Sequence, residues 1–260
     1  VIVVKKNVLF LDIDGTLYDY KNNQIPPSAK LSLEKIHSTT EIVIATGRAK
    51  YMLHSIEEIK HLIDYYVLIN GQYIVSQNEV IYQNPLNKQI IHQVVQYLSE
   101  YNLPYGFQGA DEETISQIND SIVATFKRIG LYLPREDKDF YQHNDVFQMW
   151  CLAKYNEITP LIDKFPTLDF IRWLDVGFDI LNKGTSKGEG MVKLIEILSW
   201  QNKNIYAIGD GDNDYEMIKL ADVGIAMGNA TAKLKEVANY VTTNIDEDGL
   251  YNALKYLKLL

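Results

Sequence analysis

The chain predicts a doubly wound parallel α/β core interrupted by an inserted α+β segment. Three observations carry that prediction. Short, wholly apolar runs end abruptly in Asp, Thr or Gly, as strands buried on both faces do. These runs alternate with stretches whose apolar residues recur at helical spacing. The alternation stops near residue 83 and resumes near residue 184.

Residues 8–11 (Val-Leu-Phe-Leu) are the first such run, stopped by Asp12 and Gly15. Pro26-Pro27-Ser28 opens a helix with Leu31, Leu33 and Ile36 as its apolar positions. Residues 41–45 form a second strand, and Thr46-Gly47-Arg48 follows at once. The spacing of Met52, Leu53, Ile56 and Ile59 predicts an α-helix next, and residues 66–69 a third strand ending at Asn70-Gly71. Late in the chain a helix beyond Ser186 carries Met191, Val192, Ile195 and Leu198, and a strand over 205–208 stops at Gly209-Asp210. A helix from about Asn213, a strand over 223–227, a helix over 231–238, a strand over 240–243 and a last helix complete the pattern. Residues 1–82 and 184–260 therefore read as two halves of one Rossmann-like core.

Residues 83–183 differ. An amphipathic helix carries Ile90, Ile91, Val94, Val95 and Leu98, and a second carries Ile158, Leu161, Ile162 and Phe165. Strand-like stretches fall at 105–109, 146–153, 169–174 and 178–181, while the charged stretch 134–144 reads as a loop. About 100 residues of this kind make an inserted α+β domain.

The chain is large enough, at 260 residues with 47% hydrophobic and 23% charged residues, to bury a sizeable core. Its net charge of −9 argues against a nucleic-acid or anionic-membrane surface, but not against a small phosphorylated ligand beside a metal and a lysine. Cys151 is the single cysteine, so there is no intrachain disulfide and no cysteine-based zinc site. No apolar run approaches the roughly 18 residues of a membrane span. The apolar residues 1–4 followed by Lys5-Lys6 are too short for a signal peptide, so a cytoplasmic protein is expected.

Asp12 and Asp14 stand two apart at a strand's carboxyl end, so both carboxylates can enter one crevice, where open α/β sheets bind ligands. Carboxylates this close repel unless a cation intervenes, and Mg2+ suits the need. By itself the pair also fits a simple Asp-Gly turn. A second strand ends in Gly209-Asp210-Gly211-Asp212-Asn213-Asp214. An EF-hand reading fails, because Tyr215 and Ala221 stand where that loop needs Gly and Glu. Thr46-Gly47-Arg48 offers a hydroxyl and backbone N–H groups for an anion, or a plain helix cap. Lys187 lies at a helix start, unfavourable for a cation unless an anion shares the site.

These four features, in this order, resemble the motifs of haloacid dehalogenase-like hydrolases: Asp12-Ile13-Asp14-Gly15-Thr16-Leu17, Thr46-Gly47-Arg48, Lys187 within Gly184-Thr185-Ser186-Lys187-Gly188, and Gly209 to Asp214. The first and fourth are specific; the others add weight through their order. The insertion resembles the type IIB cap of the Cof-type phosphatase branch. The resemblance implies an Mg2+-dependent phosphatase acting on a small phosphate monoester, a sugar phosphate or similar metabolite, through an aspartyl-phosphate. It makes Asp12 the nucleophile and Asp14 the general acid and base. Asp12, the Asp14 backbone carbonyl and Asp210 would hold the metal, supported by Asp214 or Asn213. Thr46, Gly47, Lys187 and Asn213 would hold the phosphoryl group, and Asp212 would face outward. A phosphomutase, and a non-catalytic phosphate-ligand binder, are the alternatives. A monomer or weak homodimer is expected.

The five histidines show no paired metal spacing, and the 18 tyrosines are scattered rather than clustered as a stacking platform. Substrate choice should reside in the insertion, where Phe107, Gln108, Arg172 and Trp173 fall on strands. Strand alternation puts half of such residues on the face away from any ligand.

Overall fold

In the computed structural model, the structure describes residues 5–260 except Asn78, Gly130, Leu131, Asp175 and Val176, together with the side chains of Ile129, Trp173 and Leu174. Residues 1–4 and the Trp173 side chain, weighed above, thus lie outside the described residues. The chain divides into two compact units, one running up to Gln83 and again from Ser186, the other Asn84–Thr185.

The first unit begins with β1 (Asn7–Leu11), α1 (Pro27–Ile36), β2 (Thr40–Ala45), a 3-10 segment (Lys50–Leu62) and β3 (Tyr65–Leu68). An antiparallel hairpin follows, β4 (Tyr73–Ser76) and β5 (Val80–Gln83). The second unit holds α2 (Lys88–Glu100), β6 (Tyr105–Gln108), β7 (Glu113–Ile115), α3 (Asp120–Ile129), β8 (Arg135–Glu136), α4 (Phe140–His143), β9 (Gln148–Leu152), α5 (Tyr155–Lys164), β10 (Leu168–Leu174) and β11 (Gly177–Asn182). The first unit then resumes with α6 (Lys187–Ile197), β12 (Asn204–Gly209), a 3-10 turn (Asp212–Asp214), α7 (Tyr215–Leu220), β13 (Val223–Ala226), α8 (Ala232–Val237), β14 (Tyr240–Val241), a 3-10 turn (Ile245–Glu247) and α9 (Gly249–Tyr256).

Among the described residues the first unit's sheet has the order β14-β13-β12-β1-β2-β3-β4-β5, parallel from β14 to β3. The chain leaves β1 in one direction through β2 and β3 and returns on its other side through β12, β13 and β14. That reversal of strand order makes β1 the topological switch point, so its carboxyl end opens the crevice where such sheets bind ligands. Val8, Leu9, Phe10 and Leu11 are all fully buried, as a strand covered on both faces requires.

Helix α6 is fixed by two glycines. A Cβ on Gly190 would strike Val67 and the Gly71 backbone, and Gly71 adopts a φ of +95° that favours glycine. This close approach sets the depth at which the first residue of α6, Lys187, enters the protein.

Three expectations are corrected. The segment after Arg48 is 3-10 rather than α: Ile56, Ile59 and Leu62 are its buried residues, spaced by three, while Met52 and Leu53 are only half-buried. Residues 134–144 are not all loop, because they contain β8 and α4, whose Phe140 and Tyr141 are buried. In α1, Leu31 is exposed and Ala29, Ser32, Leu33 and Ile36 face inward.

The second unit's sheet, ordered β10-β11-β9-β6-β7-β8, is antiparallel except for the β7–β8 pair. One face packs Phe107, Met149, Phe178 and Ile180 against Val94 and Leu98 of α2 and Ile158 and Leu161 of α5. The other sets Trp150 and Ile115 against Ile122 and Phe126 of α3. Phe107 is thus a core residue, Gln108 is buried on the opposite face by strand alternation, and Arg172 is exposed. No helix among the described residues is long and apolar enough to cross a membrane.

Candidate active site

Three neighbouring strands deliver the predicted residues to one place. Asp12 continues β1, its N–H donating to the Ile208 carbonyl at 3.1 Å; Thr46 continues β2, donating to the Val67 carbonyl at 2.9 Å; Asp210 follows β12. Asp12, Asp14, Thr46, Gly47, Arg48, Asp210, Gly211 and Asn213 line a single cavity of about 290 Å3.

Lys187 explains its odd position at a helix start. It is 1% exposed, and its Nζ donates to Asp12 Oδ1 and Asp214 Oδ1, both at 2.6 Å. Two buried carboxylates supply the anions that a lysine at a helix N-terminus needs. Burial opposes its charge, but Asp12 and Asp214 outweigh this and lift its pKa above the ordinary lysine range.

Asp214 has no free oxygen. Its second oxygen, Oδ2, accepts the N–H groups of Asp210 and Gly211, each at 2.9 Å, so it ties the acidic loop to Lys187. Asp12 is pushed up to about 8, chiefly by burial and further by Asp214 and Asp210, with Lys187 opposing. Asp210 rises to about 6, again mainly by burial and by Asp214. Asn229 Nδ2 donates to Asp210 Oδ2 at 3.3 Å and to the Gly15 carbonyl at 2.8 Å, joining the first and fourth motifs. Gly15 sits at a φ of +83°, and a Cβ there would collide with the Asp210 carboxylate.

Oxygen donors from Asp12, Asp210 and Asp214 can lie within 4.8 Å of one another. With Asp214 already engaged by Lys187 and two N–H groups, the Asp12 and Asp210 carboxylates are the donors left for a hard divalent cation, whose charge would relieve the repulsion that adds to burial in raising both. The Asp14 carboxylate points elsewhere. Arg48 grips both of its oxygens with one edge of the guanidinium, Nε to Oδ2 at 2.9 Å and Nη2 to Oδ1 at 2.6 Å, and the Tyr20 hydroxyl also donates to it. Arg48 is anchored in turn through Nη1 to the Met52 carbonyl at 2.9 Å and Ser55 Oγ at 2.8 Å.

The Thr46 hydroxyl accepts the Arg48 N–H at 3.1 Å, bending the chain around Gly47. Asn70 closes that bend: its N–H donates to the Thr46 carbonyl at 3.1 Å, and its side chain lies against Gly47. Asn213 is exposed and lines the cavity, whereas the partners of Lys187 are Asp12 and Asp214. Asp212 is exposed and accepts from the Thr231 hydroxyl at 2.7 Å. All five histidines are exposed. Arg48, Tyr20 and Asn229 were not singled out from the sequence. Arg48 had a signal, being the last residue of a motif already in hand; Tyr20 and Asn229 had none.

Comparison with known proteins identifies the family. The family model for haloacid dehalogenase-like hydrolases matches residues 9–254. YkrA of Bacillus subtilis (strain 168) is 35% identical over 97% of this chain and 98% of its own. The sugar phosphatase BT4131, described as subclass IIB of the superfamily, is 30% identical with a TM-score of 0.82, over 98% of this chain and 100% of its own. The phosphatase BT1666 from Bacteroides thetaiotaomicron is 28% identical with a TM-score of 0.86, over 98% of this chain and 96% of its own. With its motifs at the ends of β1, β2 and β12 and the start of α6, the chain belongs to the haloacid dehalogenase-like hydrolases, in the Cof-type phosphatase branch with a type IIB cap.

Proposed function

We propose that the protein hydrolyses a small phosphate monoester, a sugar phosphate or similar metabolite, with Mg2+ and through an aspartyl-phosphate on Asp12. The observation that carries this reading is the buried Asp12 carboxylate, held by Lys187 at the floor of a cavity that also presents Asp14, Thr46 and Asp210. A relative named as a sugar phosphatase, and the 25% identical pyridoxal phosphate phosphatase YbhA of Escherichia coli (strain K12), support a small phosphorylated substrate.

The two oxygens of Asp12 divide the work. Lys187 holds Oδ1, leaving Oδ2 to attack phosphorus as the ester P–O bond breaks. Asp14 gives its proton to the departing oxygen and later takes one from the water that cleaves the acyl phosphate. The N–H groups around Gly47, the Thr46 hydroxyl and Lys187 meet the negative charge that spreads over the phosphoryl oxygens. Asp12, the Asp14 carbonyl and Asp210 would hold Mg2+, which supplies charge neutralisation at the phosphoryl group. Asp214 supports the site through Lys187 and two loop N–H groups rather than as a direct ligand.

Arg48 is a positioning residue: its planar fork fixes both oxygens of Asp14. Arg48→Lys keeps the charge and loses the fork, so kcat should fall about tenfold or more with KM changed much less. Steady-state kinetics with p-nitrophenyl phosphate check the split.

Phosphate release from a panel of sugar phosphates, pyridoxal phosphate and p-nitrophenyl phosphate tests the function itself. Free phosphate should appear with Mg2+ and stop on chelation. Formation of an isomeric sugar phosphate without free phosphate would instead identify a mutase, and saturable binding without turnover a binder.

A further inference from the structure

The end of β13 lies beside the end of β12, with Ala226 opposite Gly209 in parallel register. The loop that follows β13 therefore runs along the acidic loop that follows β12. Met227 donates its N–H to the Gly209 carbonyl and Thr231 donates its N–H to the Asp210 carbonyl, each at 3.0 Å. The Thr231 hydroxyl holds Asp212 at 2.7 Å. Between these contacts the chain turns tightly, the Ala230 N–H reaching the Met227 carbonyl at 3.0 Å. A Cβ on Gly228 would strike the Asn244 backbone, so the turn is seated closely. It brings the Asn229 side chain to the Gly15 carbonyl.

Asn229 is held at both ends of its carboxamide. Its Oδ1 accepts the Ile245 N–H at 2.9 Å, and a backbone N–H can only donate, so the amide has one orientation. The other end, Nδ2, carries two hydrogens and has two acceptors: the Gly15 carbonyl at 2.8 Å and Asp210 Oδ2 at 3.3 Å. An aspartate here would have the shape but no donor, and a serine would lack the second end. Both acceptors bear on the metal site. Asp12 and Asp210 repel each other, and an untethered Asp210 carboxylate would turn away. Asn229 draws it instead against the bend at Gly15, where no Cβ stands in its way. The Gly15 carbonyl, in turn, belongs to the peptide directly after the one that carries the Asp14 carbonyl.

We infer that Asn229 is a positioning residue: it presets the Asp210 carboxylate and the Asp14–Gly15 backbone for Mg2+, and so sets the preference of the site for Mg2+ over Ca2+. The inference rests on the metal reading proposed above. Mg2+ demands a near-ideal octahedral set of oxygens at short distance, whereas Ca2+ accepts a looser and more variable shell. A tethered donor set therefore favours the ion that tolerates the least displacement, and freeing Asp210 costs that ion most. One side chain spans both sources of donors, since it bonds the first motif at Gly15 and the fourth at Asp210. Its own anchor, the Ile245 N–H, comes from a third loop, so the tether does not depend on either motif for its place.

The test is calorimetric titration of the full, metal-free chain with MgCl2 and, separately, with CaCl2. Wild type should bind both ions saturably. Asn229→Ala should weaken Mg2+ by about tenfold or more and Ca2+ by less than about threefold, so that the affinity ratio falls. Asn229→Asp keeps an acceptor for the Ile245 N–H and loses the donor. The same ratio should fall in it, even if the added charge draws both ions more strongly, and it serves should the alanine variant fail to fold. Thr231→Val loosens the same loop by removing the bond to Asp212, leaves Asn229 in place, and should bind both ions as wild type does. An unchanged ratio in the Asn229 variants, or an equal fall in Thr231→Val, would overturn the role of Asn229 and leave the metal reading standing. Absence of Mg2+ binding by wild type would overturn the metal reading, and the inference with it.

Discussion

Lys187→Met should destabilise the metal-free protein by about 3–5 kcal/mol at pH 8 and lower kcat by about a thousandfold. Methionine approximates the length of lysine but strands Asp12 and Asp214, which are 4% and 0% exposed and both bonded to Lys187 at 2.6 Å. The sign with pH follows from the same geometry. Without the ammonium, burial and the neighbouring Asp214 carboxylate push Asp12 further up, and a carboxyl whose folded pKa is raised costs stability as pH climbs from the ordinary carboxyl range toward that pKa. The deficit should therefore shrink as pH is lowered toward 5. Mg2+ should restore part of the stability and little of the activity. Urea unfolding with and without Mg2+ at the two pH values measures all three effects. A loss that does not vary with pH would mean that Lys187 acts by packing and not by charge.

Asp12→Asn should lower phosphate release by at least about 10^4-fold while leaving the fold intact. The amide can still accept from Lys187 but cannot form an acyl phosphate. Its effect on stability should run opposite to that of Lys187→Met. Burial raises Asp12 to about 8, so keeping it ionised weighs against folding at neutral pH. Substitution by a neutral isostere removes that penalty. The variant should melt at or above the wild-type temperature in metal-free buffer at pH 8. Circular dichroism and a phosphate-release assay on the same preparation separate a chemical loss from a folding loss. Near wild-type turnover would sink the nucleophile assignment.

The legible part of this protein is the part governed by burial on both faces of a parallel sheet. Residues 8–11 announce β1 because nothing polar is tolerated there, and the same reasoning places Asp12 at its end. Lys187 was legible as a contradiction, a cation at a helix start, which the structure resolves with two buried carboxylates. What stayed hidden depends on pairings that have no period. The bidentate grip of Arg48 on Asp14 spans 34 residues and requires knowledge of where two loops meet. The 3-10 segment was misread because Ile56 and Ile59 suit both helix types, and only the burial of Leu62 beside them settles a spacing of three. The β4–β5 hairpin has no reading of its own in the sequence, because its strands are four residues each and joined by a short turn. In the inserted unit, β7 and β8 are three and two residues long, too short to show alternation.

The central claim, that phosphate passes through Asp12 in two displacements, is tested most directly by the stereochemical course at phosphorus. A substrate bearing an isotopically chiral phosphoryl group would be hydrolysed in labelled water and the configuration of the product phosphate determined. Each in-line displacement inverts phosphorus, so transfer to Asp12 and then to water predicts net retention. Net inversion would mean that water attacks the substrate directly, and would contradict the account.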